Sequence, residues 1–149
     1  MFKLKPSDRL NHWKAFRHML DTVSFDDALH KTVNLWQSCP FTPYYLDPDC
    51  VDNWPDPWQL LIENYYCDLA RCLGMLYTLH LTTHGEILLP EIRSYYDSKQ
   101  KHVYHIAWLQ GGKYVLNLIE GEVVNKEHIN QDLKLKRRYT AADLRLEQY

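Results

Sequence analysis

Apolar side chains at Leu10, Trp13, Phe16 and Leu20 recur every three or four residues, the spacing that lays them along one helix face, and Ser7 stands where an N-cap would. This spacing predicts a helix over residues 7–20. A second helix is expected from Ser24: S-F-D-D places a carboxylate three residues after the serine, and Ala28, Leu29, Val33, Leu35 and Trp36 follow as its apolar face. Periodicity then stops. Residues 38–57 hold five of the seven prolines, a density that leaves only a long ordered loop pinned by its aromatics.

Residues 54–85, W-P-D-P-W-Q-L-L-I-E-N-Y-Y-C-D-L-A-R-C-L-G-M-L-Y-T-L-H-L-T-T-H-G, form the stretch around which the rest is arranged. Its prolines exclude helix before Trp58, an apolar run follows, and Glu63 to Tyr66 read as a break and restart. Cys67 is therefore expected in the first turn of a buried helix, where free backbone N–H groups and the helix dipole favour a thiolate. Beyond residue 85 the period shortens. Residues 86–96 predict an extended segment that Pro90 confines to an edge or a bulge, and residues 97–101 a polar turn. Residues 101–109 and 113–119 predict a hairpin joined by Q-G-G. The tail holds a Gly121 turn, a mixed segment through His128, the basic run K-L-K-R-R at 134–138 and a terminal helix that Thr140 can cap. Helices followed by an antiparallel meander make an α+β order, expected to form one domain over residues 1–149 with a central helix packed on a small sheet.

Composition narrows the function classes. With 46% hydrophobic and 24% charged residues the chain is globular, and a net charge of −2 argues against a general nucleic-acid binder. No segment has signal-peptide or membrane-span character, so the expected location is cytoplasmic and the four cysteines are read as reduced thiols. They contain no C-x-x-C pair and no zinc spacing, and no metal site is assigned. His80 and His84 stand four apart, but lack an adjacent glutamate at what reads as a helix end. The basic run reads as a solvated face, or as a contact for nucleic acid or an acidic partner. Eleven tyrosines and five tryptophans suit a cleft or an interface; Tyr44, Tyr45, Trp54, Trp58, Tyr95 and Tyr96 are the candidates.

Candidate chemistry rests on Cys67, His105 and Asn117. A thiol near neutral pH needs a base within hydrogen-bond reach, and the base needs a third group to fix its ring. The hairpin turn decides whether His105 and Asn117 meet. A two-residue Gly111-Gly112 turn pairs Ile106 with Asn117. A three-residue Gln110-Gly111-Gly112 loop pairs Leu109 with Lys113 and so His105 with Asn117, and this register is the one expected. The bland readings stand beside these. Cys67 shares its helix with Leu69, Leu73, Leu76 and Leu79 and reads equally as a core residue, as does Cys72. Gly74 is expected to let the helix approach the sheet.

The string W-P-D-P-W-Q-L-L-I-E-N-Y-Y-C-D-L-A-R-C-L-G, followed by H-I-A-W and then K-Y-V-L-N-L, resembles the transglutaminase-like branch of the papain-type cysteine enzymes, particularly its bacterial cysteine proteinase-like members, over about residues 54–120. That family has C-x-D-x-A at a helix start, H-A-W or H-A-V on one strand and Y-V-L-D on the next. This chain departs from the pattern. Aligning Asp68 and Ala70 on D-x-A sets Tyr66 in the cysteine position, Ile106 is inserted after the histidine, and Asn117 replaces the aspartate.

The resemblance implies a transglutaminase-like or papain-like core and amidase or acyltransferase chemistry on a peptide or carboxamide, with no cofactor. Cys67 would be nucleophile, His105 base and Asn117 the ring-orienting group. Backbone N–H groups at the helix start, with the indole of Trp54 or Trp58, would face the oxyanion. The alternative from another class is a non-catalytic interaction protein of the same fold, a degenerate member such as a tailed-phage accessory protein, binding a protein partner through its aromatic surface.

Overall fold

Proline, with its fixed φ and missing N–H, suits the first position of a helix, and helix α1 (Pro6–Leu20) starts there. Lys5 occupies the N-cap without a side-chain bond, so Ser7 lies inside the helix and is not its cap. Helix α2 (Phe25–Gln37) is capped as expected, with Ser24 Oγ accepting from Asp27 N at 3.1 Å. The break at residues 63–66 divides the organising stretch in two. Helix α3 (Pro57–Glu63) ends on Asn64 in the left-handed region, and helix α4 (Asp68–His80) restarts with Cys67 as its N-cap. The computed structural model describes residues 1–149.

Helix α4 is the centre of the core: ten of its thirteen residues are buried, between α2 on one side and the sheet on the other. The indoles of Trp13 and Trp36 both donate to Thr78 Oγ1 at 3.0 Å, and that hydroxyl donates to Gly74 O at 2.7 Å, so three helices meet on one satisfied polar atom. A Cβ at Gly74 would lie 2.3 Å from the Trp36 ring. The glycine therefore admits α2, not the sheet as the sequence suggested.

The sheet comprises β1 (Glu91–Asp97), β2 (His102–Leu109), β3 (Tyr114–Leu116), β4 (Val123–Val124) and β5 (Leu133–Thr140), all neighbours antiparallel, in the order β4-β3-β2-β1-β5. Strand β1 is interior. Pro90 precedes it, so the proline costs no ladder bond, and the edge is taken by β5, which carries the basic run. Asp97 Oδ1 accepts from Lys99 N and Gln100 N, closing the β1–β2 turn and setting Ser94 opposite His105. The chain ends in a short 3-10 turn, Leu146–Gln148, in place of the expected helix.

The β2–β3 register differs from expectation. Leu109 pairs with Tyr114, not Lys113, and Ala107 with Leu116. Gly111 (φ 69°) and Gly112 (φ 90°) form the two central residues of a turn closed by Lys113 N on Gln110 O. The slip moves every β3 side chain to the other face. Ala107, Leu109 and Leu116 join the main core under α4, while Tyr95, Ile106 and Val115 form a smaller cluster on the opposite face.

Candidate active site

The start of α4, the proline-rich loop and the β1–β2 turn enclose a cleft of about 810 Å3. Cys67 and His105 both line it, the first from the helix tip and the second from β2. Each is nearly covered, at 6% and 9% exposure. Phe41, Tyr44 and Tyr45 form the opposite wall, and Tyr44 is 93% exposed. The loop that carries them is pinned at both ends. Thr42 N donates to Tyr66 O at 3.0 Å, Trp54 Nε1 donates to Asp47 O at 2.8 Å, and the Tyr139 hydroxyl donates to Pro48 O.

The ring of His105 is held by Ser94, whose Oγ lies 2.7 Å from Nδ1 in a buried contact. Burial pushes the His105 pKa below its ordinary 6.5; the Asp68 carboxylate acts against this shift and His102 adds to it. The side chain is thus neutral near pH 7, the form a general base requires.

Asn117 takes a different place from the one its expected register gave. It follows β3 at φ 68°, a conformation that asparagine tolerates better than most residues. Its Nδ2 donates to His105 O at 2.8 Å, to Asp68 O at 3.2 Å and to Asp68 Oδ1 at 3.2 Å. Asn117 therefore grips the backbone of the histidine, and Ser94 holds the ring. Asp68 completes the clamp: its Oδ2 accepts from His105 N at 3.2 Å. Helix tip, histidine strand and the residue after β3 are joined through this one carboxylate.

Ser94 was missed in the sequence. The signal that finds it is Asp97, whose turn fixes the β1–β2 register and so the residue opposite His105. The indoles proposed for the oxyanion stand elsewhere: Trp54 Nε1 is committed to Asp47 O, and Trp58 packs against Tyr149. The remaining donors are the unpaired N–H groups at the start of α4, where Asp68 and Leu69 line the cleft. Tyr66 is wholly buried, its hydroxyl donating to Leu60 O at 3.3 Å.

The other cysteines differ from Cys67 in setting. Burial raises the pKa of Cys39 and Cys72, and the Asp47 carboxylate raises that of exposed Cys50. Nε2 of His80 lies 2.7 Å from Leu146 O, and Nε2 of His84 lies 2.9 Å from Leu20 O. No three His, Cys, Asp or Glu side chains converge in a metal-ligating group. No helix is long and apolar enough to cross a membrane.

Four helices and a five-stranded antiparallel sheet make an α+β fold that matches the transglutaminase-like core of LapG. Among solved structures, calcium-bound LapG of Legionella pneumophila shares it with a TM-score of 0.70 at 14% identity, over 93% of this chain and 78% of LapG. EGTA-treated LapG gives a TM-score of 0.69 at 14% identity, over 91% and 74%. No protein-family profile and no curated protein sequence matches the chain. None of these comparisons links it to phage proteins.

Proposed function

We propose that the protein is a thiol-dependent amide hydrolase or acyltransferase acting on a protein or peptide, with Cys67 as nucleophile, His105 as general base and Ser94, Asp68 and Asn117 as positioning residues. The observation that carries the reading is that Cys67 and His105, brought from elements 38 residues apart in sequence, open onto one cleft large enough for a peptide. The fold is the one that the Cys67, His105 and Asn117 motifs resemble.

In the base form of His105, Nδ1–H donates to Ser94 Oγ and Nε2 carries the lone pair. Nε2 takes the thiol proton as Cys67 Sγ bonds to the substrate carbonyl carbon. The oxyanion is met by the N–H groups at the start of α4. The imidazolium then gives its proton to the amine, the C–N bond breaks, and a thioester remains. Attack by water releases a carboxylic acid; attack by a second amine forms a new amide. Either step regenerates the thiol.

Iodoacetamide labelling of the four cysteines, followed by mass spectrometry over falling pH, tests this. Cys67 is expected to label fastest below pH 7 despite its burial, because it stands at a helix start in a cleft that it shares with the base His105, and no other cysteine lines that cleft. Replacing His105 by alanine should remove that lead. Faster labelling of exposed Cys50 with Cys67 silent would rule the assignment out.

A further inference from the structure

A second cavity of about 330 Å3 shares Pro48, Val103 and His105 with the main cleft; Cys67 lines the main cleft but not this cavity, and Ser94 lines this cavity but not the main cleft. Ser94, Asp49, Lys136 and Arg137 complete its lining, two cations and one carboxylate. Consecutive residues of a regular strand face opposite ways, so both cations should not reach one cavity. A β-bulge in β5 brings them together: Ser94 pairs with Arg137 and Tyr95 with Leu135, which leaves Lys136 as the extra residue. Lys136 Nζ lies 5.3 Å from the Tyr96 ring centroid and pairs with no carboxylate. Arg137 is paired with Asp49 on the proline-rich loop. Asp47, the next carboxylate on that loop, accepts from Asp49 N at 2.8 Å and lines the main cleft. In a chain of net charge −2, a side chamber next to His105 thus carries two cations against one carboxylate: Asp49 answers Arg137, and the Lys136 ammonium has only the Tyr96 ring beside it.

From this geometry we infer that the bulge-built Lys136–Arg137 chamber is a specificity subsite for a carboxylate on the leaving-amine side of the scissile amide. The inference rests on the thiol-acyl-transfer reading of the site. His105 protonates the leaving amine, so the part of the substrate beyond His105 is the amine's own chain. A carboxylate one or two residues past the scissile bond reaches Lys136, and the planar guanidinium of Arg137 offers a fork to the same group. Such a carboxylate is either an Asp or Glu side chain or the terminus of the peptide.

The test uses full-length protein and mixed-sequence, N-acetylated hexapeptide pools that differ at one fixed position, Glu, Gln or Lys, each amidated at the C-terminus. A further Gln pool has a free C-terminal carboxylate. Each pool is scored by how far it slows alkylation of Cys67 by iodoacetamide. The Glu pool is expected to protect at least about tenfold better than the Gln and Lys amides. Lys136→Glu should reverse the order in favour of Lys. Protection by the free-carboxylate pool equal to that by Glu shows that a chain-end carboxylate fits as well as a side chain; protection by Glu alone restricts the site to side chains. Equal protection by the Glu, Gln and Lys amides, or an order unchanged in Lys136→Glu, overturns the subsite. Labelling without any pool reports on the thiol chemistry separately. The same ranking in Cys67→Ala, read by displacement of a fluorescein-labelled Glu pool, tests the subsite with no thiol present.

Discussion

Ser94 and His105 show how one residue sets the chemistry available to another. A buried imidazole with one nitrogen engaged by a hydroxyl presents a single free nitrogen, and burial keeps it uncharged. Because the folded-state pKa lies below the ordinary 6.5, Cys67 alkylation should keep its His105-dependent rate down to a pH below 6.5 and lose it only there. The sign for stability follows. Between the lowered folded value and 6.5 the unfolded chain binds the extra proton, so stability rises with pH through that window and is reduced below it. Ser94→Ala should lower kcat by roughly tenfold with KM little changed, since the ring loses its orienting partner but the cleft keeps its walls. A comparison of KM and kcat, with circular dichroism as the control for folding, checks this.

Asn117 also makes sense only as a donor. Its three acceptors, His105 O, Asp68 O and Asp68 Oδ1, require an N–H group, which aspartate cannot supply. Asn117→Asp should therefore cost about 1–3 kcal/mol in urea unfolding, although aspartate stands at this position in the motif that the segment resembles. A stability equal to that of the unaltered protein would show that the clamp has no such role.

At the scale of elements, the relation of α4 to its neighbours decides where Cys67 points. Asp68 binds the N–H of His105 and the amide of Asn117, so the tip of α4 is tied to β2 and to the residue following β3. Asp68→Ala should loosen that junction, and hydrogen exchange should rise at the start of α4 and in β2 while the far end of α4 stays protected. On its other face α4 receives Trp36 over Gly74. Gly74→Ala would gain helix propensity, worth about 1 kcal/mol, yet force the indole out of a closed core at a cost of about 1–3 kcal/mol. A lowered Tm is expected, and calorimetry decides it.

At the scale of the whole molecule, helices on one face of an antiparallel sheet leave a cleft where loop, helix tip and β1–β2 turn converge. Between Thr42 and Asp47 the loop is held by the packing of Tyr45 and Leu46 on the core, with Tyr44 at its most exposed point. Loss of the Tyr139 and Trp54 contacts would free the wall facing Cys67. Tyr139→Phe should thus raise KM for peptide more than it lowers kcat, because the hydroxyl bond to Pro48 holds the wall and touches no reacting atom. A fall in kcat with KM unchanged would place the residue's influence on the chemistry instead.

Local rules account for what was legible from the residues. Ser24 as a cap, the break at Asn64, the proline-rich loop, the placing of Cys67 at a helix start and the α+β order all depend on backbone preferences that act over a few residues. The sequence also places the β2–β3 turn at Gln110-Gly111-Gly112, of which only the two glycines form its centre. What the sequence left open was which residue pairs with which across that turn, because shifting Leu109 from Lys113 to Tyr114 changes no local preference and reverses every side chain of β3. The same holds for Gly74, whose missing Cβ says that something comes close but not that it is Trp36, and for Lys136, whose bulge exists only in relation to β1. Spacing along the chain determined the elements and their order. The partners of His105, the place of Asn117 and the meeting of Lys136 with Arg137 were decided by packing between distant elements, where the free energy belongs to pairs of residues and not to any one segment.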